Sequence, residues 1–295
     1  MTIILEKKAV IKGQAFYDSH LPNALRQARE YAGKQGYTAS LPELLKARTL
    51  ASPNEEIWTC WYTANSEELV GTTKQGNPVV ISVHGNGILS SPERIEQAYN
   101  QGLLDGAARL TDQEIKDVLE GKLPDRTEIP VYSFQDFNRN TNLPRNYAVV
   151  MDFNRAKKTE SEFQKISKLY DNPLVIVRAG GIQEAKEYLD NVKEKLNTKN
   201  YGQWHHFNSV NPEHSQGRLL FLCSVYNVGL FGDSLSDLGR VVGVRAEGAK
   251  EGEASQKIPQ TKKAPSLEER IQGALEARES FEYNGYVYVP VESKR

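Results

Sequence analysis

Two stretches place glycines, beside a titratable or charged side chain, just ahead of a helix start. The first is His84-Gly85-Asn86-Gly87, after the apolar run Val79-Val80-Ile81-Ser82-Val83 and before Ser91-Pro92-Glu93. The second is Arg178-Ala179-Gly180-Gly181, after Leu174-Val175-Ile176-Val177. A glycine-rich loop at a helix N-terminus aims backbone N–H groups and the positive end of the helix dipole at one spot. That favours a phosphate, a carboxylate or a developing oxyanion. The spacing therefore predicts a small anionic ligand held by His84, Gly85, Asn86, Gly87, Arg178, Gly180 and Gly181. Neither stretch has the Gly-x-Gly-x-x-Gly fingerprint or the Walker lysine, so no nucleotide cofactor is implied.

A serine offers a second chemistry. The run Phe231-Gly232-Asp233-Ser234-Leu235-Ser236-Asp237 resembles the first block of the GDSL family of esterases and lipases. The resemblance implies Ser234 as nucleophile, with its own backbone N–H in the oxyanion hole. Such a serine needs a base. In that family the base follows the serine, whereas the last histidine here, His214, precedes it. His84 is the other candidate base, and His84–Gly87 is similar to the oxyanion loop of the α/β-hydrolases, although no Gly-x-Ser-x-Gly elbow occurs. This alternative is an ester hydrolase built on Ser234, His214 and His84. A third reading is a non-enzymatic protein-interaction module.

Trp204-His205-His206-Phe207 and His214 gather three of the five histidines. Adjacent residues on a strand point to opposite faces, so the pair cannot share one ion, and no metal site is expected. Trp58, Trp61, Tyr62 and the C-terminal aromatics are core residues or stacking surfaces.

The elements that must position these residues follow from periodicity and caps. Helices are expected over 19–35, after Ser40-Leu41-Pro42-Glu43, after Ser91, over 111–120, after Thr159-Glu160-Ser161-Glu162 and from Ile182 to Leu196. Several of these starts carry the Ser/Thr-x-x-Glu capping box. Strands are expected over 56–63, 79–83, 147–153, 173–177, 218–228 and 240–246. Residues 147–196 thus read β-α-β-α, which implies parallel strands. The expected fold class is α/β, a mixed, partly parallel sheet flanked by helices. It occupies residues 1–246, with two lobes near 1–140 and 141–246 as a variant. Residues 247–265 hold one large apolar residue, Ile258, and read as a flexible linker or long loop. Residues 266–295 read as a helix and a β-hairpin that dock back on the core, with Asn284-Gly285 as the turn.

Composition narrows the function classes. Of 295 residues, 37 are Lys or Arg and 38 Asp or Glu, a formal net charge of −1. That leaves no cation surplus for nucleic acid. No apolar run approaches the ~20 residues of a membrane span. Cys60 and Cys223 sit in apolar runs and read as buried free thiols of a cytoplasmic protein. The residues leave the oligomeric state open.

Overall fold

The structure is a computed structural model. It describes residues 2–4, 12–140, 142–159, 161–224, 229–232, 234–235, 238–245, 281–283 and 286–288. In chain order the elements begin with β1 (Thr2–Ile4), β2 (Lys12–Asp18), α1 (Leu21–Ala32), β3 (Tyr37–Thr38), α2 (Leu41–Leu50), α3 (Glu56–Thr59), β4 (Tyr62–Thr72) and β5 (Pro78–His84). After the short turn Ile88–Ser90 come α4 (Pro92–Gln101), β6 (Ala108–Arg109), α5 (Asp112–Leu119), β7 (Val131–Ser133) and α6 (Phe134–Phe137). There follow β8 (Tyr147–Asp152), α7 (Phe153–Lys157), β9 (Glu162–Lys165), α8 (Ile166–Leu169), α9 (Pro173–Ala179) and α10 (Ile182–Lys195). Then come β10 (Asn200–Trp204), β11 (Gln216–Leu222), β12 (Gly229–Gly232) and β13 (Gly239–Val244).

A large sheet runs β7-β8-β5-β4-β11-β12-β10-β9, with β6 also on β11. The pairs β7/β8 and β10/β12 are parallel, and the other pairs are antiparallel. A small antiparallel sheet runs β1-β2-β13-β3. Alternation along β4 divides the core. Tyr62, Ala64 and Val70 join α2, α9 and α10 on one face. Leu69 joins α1, α4 and α5 on the other. The expected mixed sheet with helices on both faces is therefore present.

Caps explain the helices that form where expected. The Ser40/Glu43 and Thr111/Glu114 boxes are both closed, and the Ser91 side chain accepts from Arg94 N.

Four local expectations are corrected. Residues 173–177 are helix, not strand. Asn172 Oδ1 accepts from Leu174 N and Val175 N, Pro173 opens the first turn, and Gly180 closes the helix in the left-handed region at φ 90°. Those caps and the packing of α9 override the β-branched preference of Val175, Ile176 and Val177. Residues 56–59 are a helical turn, and the strand begins only at Tyr62. The helix expected after Thr159 is replaced by strand β9, which pairs with β10. The 147–196 segment is thus not a parallel β-α-β-α unit: β8 runs antiparallel to β5 and parallel to β7. Cys60 and Cys223 are not joined in a disulfide, and both are half-buried where burial was expected.

Contacts divide the chain into Met1–Ala254 and Ser255–Arg295. In the second unit β14 (Phe281–Tyr283) pairs with β15 (Tyr286–Tyr288). The register, Phe281 opposite Tyr288 and Tyr283 opposite Tyr286, is the one expected of a two-residue turn. The turn itself, the linker 247–265 and the helix expected from Ser266 lie outside the described residues. No helix among the described residues is long and apolar enough to cross a membrane.

Candidate functional site

The two glycine-rich stretches do meet. His84 Nε2 lies 3.0 Å from Val177 O, one residue before Arg178. A carbonyl only accepts, so Nε2 carries the proton and Nδ1 accepts from Ser66 Oγ at 2.9 Å. Ser66 Oγ in turn accepts from Leu41 N at the start of α2. The imidazole is fully buried, and burial pulls it down to about 4, so it is neutral. His84 therefore ties β4, β5, α2 and α9 together, with both ring nitrogens used.

The anion at the first loop belongs to the protein. The Glu67 carboxylate, from β4, accepts from Ile88 N at 2.8 Å and Leu89 N at 2.7 Å. These are the N–H groups that the loop presents. Gly85 N donates to Asn65 O. Glu67 is fully buried, and desolvation raises its carboxyl to about 7 against the opposing pull of the two N–H bonds. Gly87 makes room for it, since a Cβ there would lie 2.3 Å from Glu67 Oε1. Replacing Gly87 with alanine is expected to cost about 1–3 kcal/mol by overpacking, read as a lower urea midpoint at unchanged slope.

The second stretch is internally satisfied as well. Arg178 is fully buried. Its Nε and Nη2 bind both Glu68 oxygens at 2.8 Å, a bidentate pair. Nη1 donates to Gln203 Oε1, Trp204 O and Leu230 O. One guanidinium thus joins α9 to β4, β10 and β12. The donors of Ile88, Leu89 and Arg178 are all occupied from within the chain.

The hydrolase residues are not brought together. Ser234 packs against Gly106, and Leu235 N donates to Gly106 O while the Leu235 side chain enters the core. His84 has no free ring nitrogen to act as base. His214 is exposed on the turn before β11 and makes no bond to Ser234 among the described residues. Among the described residues, Ser234, His214 and His84 are thus not assembled into a nucleophile and base, and the ester-hydrolase reading gains no support. His205 bonds Thr159 O and Phe207 N, and its neighbours do not complete a metal set. Among the described residues no group of three His, Cys, Asp or Glu could hold an ion.

What the fold does present is a row of aromatic rings on the face opposite Arg178. Trp204 and Phe231 stand opposite each other in the β10/β12 register, with ring centroids 4.3 Å apart and planes at 10°. Phe163 of β9 stacks beyond Trp204 at 6.5 Å and is 52% exposed. Phe221 is opposite Phe231, Trp61 is 6.1 Å from Phe221, and Tyr17 is 6.2 Å from Trp61. The Arg240 guanidinium lies over Tyr17 and Trp61 and donates to Glu56. Gly202 is what lets the indole lie flat: a Cβ there would sit 1.6 Å from Trp204 Cζ3. The indole also covers Gly229.

The row was not legible beforehand, because its members come from separate strands. Glu67 and Glu68 left one signal: two adjacent carboxylates directly before the apolar pair Leu69-Val70.

No family model matches the chain, and no curated protein matches it. The chain is similar to a solved structure described as "Accommodation of massive sequence variation in Nanoarchaeota by the C-type lectin fold". Identity is 29%, the TM-score is 0.64, and the match covers 80% of this chain and 98% of that one. The chain is an α/β protein with a fold similar to the C-type lectin fold.

Proposed function

We propose that the chain is a non-enzymatic binding protein that engages a partner protein on the aromatic row. The observation that carries this is the stacked series Phe163–Trp204–Phe231 at the edge of the large sheet; Trp61, Tyr17 and Arg240 form a second group beyond the buried Phe221. Trp, Tyr and Arg are the residues that dominate protein-interface energetics. A flat, pre-stacked indole loses little side-chain entropy when a partner covers it. The structural neighbour is described as accommodating massive sequence variation by its fold. That supports a scaffold whose packed core is separable from a changeable face. The anionic-ligand reading is not carried forward, because internal carboxylates already meet the donors it needs.

The test is selection of a displayed random-peptide library on the immobilised chain, with a glycan array as a parallel arm. Peptides enriched on the wild type are expected to lose at least about tenfold in affinity with Trp204→Ala. Gly202→Ala displaces the indole and is expected to do the same while shifting the tryptophan emission. Peptides that bind the variants equally, or glycans alone binding the row, would overturn the reading.

A further inference from the structure

On the other face, a cleft of about 370 Å³ opens between α2, the start of α10 and the segment before β8. That volume suits a small molecule. Its lining includes Tyr147, which is 4% exposed and whose hydroxyl has no hydrogen-bond partner. An unmet buried hydroxyl is costly, so a group that pairs with it is favoured. Gly180 leaves room beside the hydroxyl: a Cβ there would lie 3.3 Å from Tyr147 Oη. Pro42 and Leu45 add apolar wall.

The charges around the cleft are not balanced evenly. Glu43 is committed, with Oε2 taken by Ser40 and Oε1 3.5 Å from Arg145 Nε. Arg145 is held in turn by stacking on Tyr37 at 3.6 Å. Glu184 and Glu187, one turn apart on α10, bring carboxylates that pair with no cation among the described residues. Glu184 folds back over Gly181, beside the cleft. The remaining cation of the lining, Lys46, is exposed on α2.

We propose that this cleft binds a small primary amine, its ammonium between Tyr147 Oη and the Glu184 carboxylate and its apolar body against Pro42 and Leu45. The ammonium donates to the phenol oxygen and to the carboxylate, and the short chain displaces water from the apolar wall. Burial, with Glu184 and Glu43 nearby, pushes the phenol further up, so Tyr147 stays a neutral hydroxyl. The cleft and the aromatic row lie on opposite faces, so either proposal can fail alone.

The probe is hexylamine, followed by protein-observed NMR titration, with hexanol and hexanoate as controls. Hexylamine is expected to bind the wild type and neither control to bind comparably. Glu184→Gln changes an exposed side chain and is expected to weaken hexylamine about tenfold, the worth of a charged hydrogen bond. Tyr147→Phe removes only the hydroxyl and is expected to weaken it several-fold. Trp204→Ala is expected to leave it unchanged. Absence of hexylamine binding, equal binding of hexanol, or equal affinity in Glu184→Gln and Tyr147→Phe would overturn the proposal.

Discussion

Arg178→Met is expected to lower the unfolding free energy by about 3–5 kcal/mol, the largest effect of any single replacement considered. The reason is what it leaves behind. Glu68 would remain 4% exposed without the guanidinium that pairs both its oxygens, and Gln203 Oε1, Trp204 O and Leu230 O would lose their donor. An isolated carboxylate at that depth is far costlier than the ion pair it replaces. The double variant Arg178→Met/Glu68→Leu is therefore expected to recover much of the loss, because both charges go together. Urea denaturation followed by circular dichroism measures all three proteins. An Arg178→Met loss below about 1 kcal/mol would mean that the pair carries no such weight.

The second large effect is hidden in the wild type and exposed by Glu67→Gln. Two buried groups titrate in opposition. Glu67, raised to about 7 from 4.5, binds its proton more tightly in the fold. Its contribution is complete below pH 4.5 and is lost as pH rises towards 7. His84, lowered to about 4 from 6.5, holds its proton less tightly in the fold. Its contribution is complete above pH 6.5 and is lost as pH falls towards 4. Between about pH 4.5 and 6.5 the slopes have opposite sign and similar size, so they cancel.

Glutamine keeps the size of the carboxyl and removes the titration; its amide can accept only one of the two N–H bonds from Ile88 and Leu89, a loss that is the same at every pH and adds no slope. Glu67→Gln should then lose up to about 3 kcal/mol as pH falls from 6.5 to 4, relative to a flatter wild type. Glu114 and Arg94 near Glu67, and Glu68 near His84, stay in place in both proteins. The difference between the two stability curves thus isolates Glu67. Parallel curves across that range would sink the assignment of Glu67, and a Glu67→Gln curve that stays flat would sink that of His84.

Much of the local structure was legible in the sequence because its causes are local. Ser40 with Glu43 and Thr111 with Glu114 close capping boxes whose partners are three residues away. Ile182 to Leu196 show a helical period because one face of α10 is buried. Tyr283 and Tyr286 pair in the register that a two-residue turn dictates. The same locality explains the errors. Leu174 to Val177 have strand composition, and only Asn172 Oδ1, Pro173 and Gly180 together reveal the helix. The candidate site shows a different limit. His84, Gly87 and Arg178 stand out in the sequence, and in the fold their polar groups and the space at Gly87 are taken up by partners inside the protein.

By itself the sequence determined the class of the fold, the starts of α2, α4, α5 and α10, and the proximity of unusual residues to helix starts. All of these rest on neighbours within one or two turns of chain. Only the tertiary structure decided who answers them. Glu67 fills the loop of β5 from β4, Glu68 meets Arg178 across 110 residues, and Trp204 lies flat only because Gly202 and Gly229 leave space beneath it. A charge or a ring carries no mark in the sequence of whether its partner is water, a ligand or another strand. That is settled when the sheet closes, and the strength of each pairing follows from the burial that closure imposes.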